Sequence, residues 1–127
     1  MYVLEEPRGS RLDEWWGGPI AVTLLAAALR LWNLGSPHSL VFDETYYVKD
    51  SWTLLHLGYE ARWPGEADAS FNSGDVDVFT NTGSFVVHPP LGKWIISLGL
   101  AIFGAQDAVG WRISTAVVGI LLVALVA

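Results

Sequence analysis

Two adjacent carboxylates, Asp43 and Glu44, are the first candidates for chemistry in this sequence. They stand just after an apolar segment, where a polar one begins. A carboxylate held there, within reach of a hydroxyl, can remove its proton as the oxygen attacks. The plainer alternative is structural: Asp43 caps the following helix and Glu44 complements its dipole. A second cluster is His88-Pro89-Pro90-Leu91-Gly92-Lys93. Its prolines fix the chain direction, remove two backbone donors and leave His88 extended. His88, Lys93 and Arg30 would then lie at one depth, and paired cationic donors at that depth suit a lipid phosphate. Alternatively, Lys93 only snorkels from the start of a helix.

Other chemistry is less supported. Asp75-Val76-Asp77 has the DxD form in which carboxylates hold a divalent ion, but a solvated acidic loop is the better reading. Asp43, Glu44 and His88 lack the spacing of a known metal site, so no metal and no cofactor is expected. Cysteine is absent, which excludes a disulfide framework and a thiol nucleophile. Neither a P-loop nor a glycine-rich dinucleotide turn occurs. With 7 Lys+Arg against 13 Asp+Glu, the net charge of -6 argues against nucleic acid as a partner.

The elements that must position these residues are set by hydropathy. The apolar residues, part of a 52% hydrophobic composition, gather in blocks. Residues 15–34, WWGGPIAVTLLAAALRLWNL, number 20 and are flanked by Trp15, Trp16 and Trp32. A helix of that length spans roughly 30 Å, enough for a bilayer, and tryptophan suits the headgroup layer. Residues 108–127 are equally apolar and carry no helix-stop signal, so the chain is expected to be the N-terminal piece of a longer membrane protein. Between them, residues 91–104 form a shorter apolar segment, expected as a second, short membrane helix or a re-entrant one. Residues 35–90 carry Lys49 and Arg62 against eight acidic residues, which favours the extracytoplasmic side and leaves 1–14 as a cytoplasmic tail. Within that loop, residues 43–57 read as an amphipathic helix, with Val48, Trp52, Leu55 and Tyr59 on one face and Gly58 as its stop. That face could lie flat on the bilayer. An irregular loop is expected from Arg62 to Gly83, with a short strand over 75–80.

The segments LRLWNLG, FDETYY, KDSWTLLHLGYE and GSFVVHPPLGKW, in that order around apolar helices, resemble the N-terminal part of the protein O-mannosyltransferases, especially the actinobacterial type. The resemblance runs from Arg30 to Arg112. It implies an all-α, multi-pass plasma-membrane protein of the GT-C glycosyltransferase type, of which this chain holds the first three membrane helices and the first large loop. It further implies mannosyl transfer from polyprenyl-phosphate-mannose to Ser/Thr hydroxyls of exported proteins, on the extracytoplasmic face. The family's Asp-Glu motif maps onto Asp43 and Glu44, with the Asp as base. Its Arg at the outer end of the first helix maps onto Arg30, and its HPP segment onto His88, Pro89 and Pro90.

This chemistry suits the residues. A departing phosphate stays anionic and needs no protonating acid, so one base and nearby cations (Arg30, His88, Lys93) suffice without a metal. Arg112 also resembles a family arginine. Simple alternation of three helices, however, puts it on the opposite face from Asp43, outside the expected site. Rival readings are an aminoarabinose transferase acting on lipid A, a metal-dependent oligosaccharide transferase, and a non-catalytic membrane subunit whose acidic loop binds a partner.

Overall fold

A computed structural model describes residues 11–127, with side chains from Trp15 onward. Five helices follow in order: α1 (Arg11–Leu31), α2 (Glu44–Leu57), α3 (Ala67–Asn72), α4 (Leu91–Phe103) and α5 (Ala108–Val126). The expected tail, 1–14, lies mostly outside the described residues. α1 starts and ends earlier than the 15–34 block. Its end is set by Asn33, whose φ of 54° is left-handed, and by a turn in which Ser36 N–H donates to the Asn33 carbonyl.

α1 and α5 form an antiparallel pair. Gly35 meets Val109, the Leu34 carbonyl meets Arg112, and Arg30 lies over Gly119, so one helix ends where the other begins. Asp107 caps α5 by accepting from Val109 N–H at 2.8 Å. Among the described residues only α5 is long and apolar enough to cross a bilayer; the apolar part of α1, Trp15–Leu31, is shorter. Both leave wide apolar faces uncovered: Leu24, Leu29, Leu121 and Leu125 are exposed.

The first turn of α5 and the last turn of α1 share one end of the molecule, and the segments between them, α4 included, return the chain to that end. α4 is about 20 Å long and packs between α2 and the first turns of α5. The crossing with α5 is made by glycine. A Cβ on Gly99 would stand 2.3 Å from the Gly110 carbonyl oxygen, and one on Gly110 2.5 Å from that of Gly104. α4 turns Leu91, Leu98 and Ile102 outward and buries Lys93, Ser97 and Leu100.

α2 stops at Gly58 as expected, with φ 78° and its N–H on the Leu54 carbonyl. Its buried face differs from the expected stripe. Val48, Lys49, Ser51, Thr53 and Leu54 are inside, whereas Leu55 and Tyr59 are exposed. Short hydroxyl side chains make this burial tolerable. Ser51 Oγ donates to the Tyr47 carbonyl, and Thr53 Oγ1 donates to the Asp50 carbonyl and accepts from Ala61 N–H. α2 is therefore a helix packed on α4, with Tyr46 and Leu55 left exposed.

No strand forms over 75–80. Residues 60–62 instead pair antiparallel with 80–84 through one isolated bridge, Arg62 N–H donating to the Thr82 carbonyl and Ser84 N–H to that of Glu60. The short α3 occupies the expected irregular loop and sends Phe71 into the core beside Trp111, Val48 and Leu100. Trp111 is 2% exposed, and its indole N–H donates to the Ala105 carbonyl at 2.7 Å.

Candidate active site

The first turn of α2 separates the two neighbouring carboxylates. Asp43 occupies the N-cap position but makes no side-chain cap bond, and it is exposed. Glu44 is the one committed to structure. Its Oε1 accepts from Arg112 Nε at 2.6 Å, and its Oε2 from Arg112 Nη2 at 2.8 Å and from Val41 N–H at 3.1 Å. Arg112 also donates to the Leu34 and Pro37 carbonyls at 3.0 Å and to that of Ser39 at 3.3 Å. One guanidinium thus ties α5, the chain after α1 and the start of α2 together, a geometry that suits its planar fork. Phe42, just before the carboxylates, holds a left-handed φ of 54°, a position aromatic residues rarely adopt.

Asp43 lies on the rim of an open groove of about 780 Å³. Tyr46, Tyr47 and Asp50 of α2 form one wall, Phe85 and His88 another, and Trp63 sits between. His88 stands edge-on to Tyr47, with ring centroids 5.4 Å apart. Below them Asp68 accepts from Thr45 and Lys49, which fixes α3 to α2. A polar rim carrying a carboxylate and an aromatic wall is the form of a site for a sugar-sized or peptide-like ligand.

The groove does not gather all the expected residues. Asp43 and His88 share it, but Lys93 does not open into it. The Lys93 side chain is 3% exposed, and its Nζ lies 2.9 Å from Asp50 Oδ2 and 2.7 Å from Glu60 Oε2. Two carboxylates inside the protein claim an ammonium that was expected at a phosphate. Burial holds the Asp50 carboxyl above its ordinary value, against the pull of Lys93. Arg30 lies elsewhere, flat over Gly119 on α5 and exposed. Gly119 is seven residues beyond Arg112, roughly 10 Å along the helix. Among the described residues Arg30 makes no ion pair.

Asp77 accepts from the Trp52 indole N–H at 3.1 Å. Among the described residues no group of three His, Asp or Glu side chains stands close enough to hold a metal ion.

Sequence reasoning set Arg112 aside and overlooked Asp50 and Glu60. The signal for Arg112 was its cost: an arginine in the first turns of an apolar helix needs an acidic partner. Nothing in spacing links Glu60 to Lys93, because their contact depends on the bridge between 60–62 and 80–84.

An apolar helix pair, one member of it long and apolar enough to cross a bilayer, thus stands beside a carboxylate-bearing groove. Sequence comparison makes the class specific. The chain is 37% identical to the polyprenol-phosphate-mannose--protein mannosyltransferase of Mycolicibacterium smegmatis across 98% of its length. It is 39% identical to the protein of that name from Mycobacterium tuberculosis across 83%, and 34% identical to that of Corynebacterium glutamicum across 88%. Over most of its length, then, this chain is homologous to actinobacterial protein mannosyltransferases, which are glycosyltransferases. It spans about a fifth of the length of these relatives. No protein-family model and no solved structure matches it.

Proposed function

We propose that this chain supplies the base-bearing part of a membrane mannosyltransferase that moves mannose from polyprenyl-phosphate-mannose to Ser/Thr hydroxyls of exported proteins. One observation carries the assignment of roles: of two adjacent carboxylates, Glu44 is locked by Arg112, while Asp43 is uncapped and open to the groove.

In this reaction Asp43 takes the hydroxyl proton as the acceptor oxygen bonds to the anomeric carbon. The bond from that carbon to the phosphate oxygen breaks, and its electron pair leaves with the polyprenyl phosphate. In-line displacement inverts the anomeric centre. The phosphate gains a negative charge as it departs, and fixed cations stabilise that charge. Arg30, exposed and without an internal partner among the described residues, is the best placed to meet a phosphate arriving from the bilayer, with His88 on the groove wall. Glu44 then acts as a positioning residue for Asp43. No metal enters this scheme.

The helix arrangement goes with a GT-C-type, multi-pass protein in the plasma membrane. In it α1 and α5 are successive crossings, and α2 to α4 lie on the extracytoplasmic face. The outward Leu91, Leu98 and Ile102 would rest α4 on the bilayer surface. The names of the relatives favour a protein acceptor over lipid A. The test is transfer by the complete protein in membranes. Asp43→Asn keeps the side chain's shape and removes its basicity, so it should insert normally and lose transfer. Full activity in that variant would sink the assignment.

A further inference from the structure

Among the described residues, Lys93, buried behind the groove, is held by two carboxylates from different elements. Asp50 belongs to α2 and faces the groove, Glu60 belongs to the segment paired with 80–84, and Lys93 lies in the first turn of α4, three residues after Pro90. Glu60 and Lys93 are both nearly sealed, with side chains 2% and 3% exposed. One turn further along α4, Ser97 Oγ donates to the Ser51 carbonyl at 2.8 Å, so the join continues along α2. The buried ammonium therefore links α2 to the segment on which the 84–88 wall is paired.

We propose that Lys93 is a positioning residue that sets the separation of the groove walls through Asp50 and Glu60, and that it does not touch the lipid-phosphate donor. Its assignment as a positioning residue for transfer rests on the function proposed above. Removing the ammonium leaves the buried Glu60 and the half-buried Asp50 carboxylates without their shared counter-charge. Removing all three charges together leaves nothing uncompensated, and neutral replacement of a buried ionic triad is often tolerated where loss of one partner is not. A phosphate ligand would behave differently, because neutralising the carboxylates could not restore a lost donor contact.

The experiment compares, in the complete protein, wild type, Lys93→Met and the triple variant Lys93→Met with Asp50→Asn and Glu60→Gln. Transfer by Lys93→Met is expected to fall about a hundredfold, and that of the triple variant to return to within about tenfold of wild type. The donor KM should stay near wild type in the triple variant. A pH profile adds a readout that a phosphate contact would not move. Relative to wild type, Lys93→Met should regain activity in mild acid, where protonation of Asp50, already favoured by burial, relieves the repulsion left by the missing ammonium. Lys49, the other charge near Asp50, is engaged by Asp68 and stays unchanged. Thermal unfolding in detergent without donor should show the same order: Lys93→Met low, the triple variant restored. A triple variant as inactive as Lys93→Met with a raised donor KM, or a Lys93→Met protein of wild-type activity, would overturn the proposal. If wild type itself transfers no mannose, the proposed reaction fails, and the unfolding order alone decides whether Lys93 joins the walls.

Discussion

Replacing Arg112 by lysine keeps the charge and removes the fork, which makes it the sharpest test of how Asp43 is presented. Arg112 makes two bonds to Glu44, at 2.6 and 2.8 Å, and three to the carbonyls of Leu34, Pro37 and Ser39. A lysine has three donors radiating from one point and cannot reproduce a paired fork while reaching the chain after α1. The Arg112 side chain is 15% exposed and that of Glu44 27%, so solvent makes up part of the loss. Breaking a fully buried pair costs about 3–5 kcal/mol; discounted for this exposure, about 2–3 kcal/mol is expected for Arg112→Lys. Each 1.4 kcal/mol is tenfold, so the assembled first turn of α2 should be roughly 30- to 150-fold less populated. The assay is thermal unfolding and transfer for Arg112→Lys, then a double-mutant cycle on Glu44→Gln and Arg112→Met. Coupling of about 1.5–3 kcal/mol is expected in the cycle. Wild-type stability and transfer in Arg112→Lys, or strictly additive single variants, would refute the clamp.

Three further outcomes follow from the same geometry. Gly119→Ala puts a Cβ 2.6 Å from Arg30 Nη1, and because the far end of a flexible side chain can move aside, the fold should survive while donor KM rises several-fold; an unchanged KM would detach Arg30 from the donor. Gly99→Ala drives a Cβ into the Gly110 backbone and should cost about 3 kcal/mol, while Gly92→Ala, with nothing within 4 Å, should cost nothing; equal melting of the two would contradict the α4–α5 crossing. Burial raises the folded Asp50 pKa above its ordinary 3.8, so its stability contribution is complete below that value and is lost as pH rises through the folded one; Asp50→Asn should remove that increment from a stability–pH curve.

Much of the architecture was legible because it depends on local signals. The glycine after α2, the prolines before α4 and the apolar blocks of α1 and α5 placed those helices within a few residues. The packing of α4 was not legible. Hydropathy says nothing of how a short apolar helix meets its neighbour, and here Gly99 and Gly110, whose missing side chains allow a close approach, let α4 cross α5. The inward face of α2 was misjudged for a related reason. Ser51 and Thr53 look like surface residues until their hydroxyls are satisfied by nearby backbone. Asp43 and His88 were found from residue type and position and do share a groove. The ion pairs of Lys93 were not legible, because Glu60 reaches it through a bridge that leaves no periodic trace.

The most direct measurement is mannose transfer from polyprenyl-phosphate-mannose to a Thr-rich peptide by the complete protein in membranes, run beside Asp43→Asn and with a chelator. Transfer that survives the chelator and disappears in a normally inserted Asp43→Asn protein is the expected result. Transfer that persists in Asp43→Asn, or that the chelator abolishes, would contradict a metal-free mechanism based on that carboxylate.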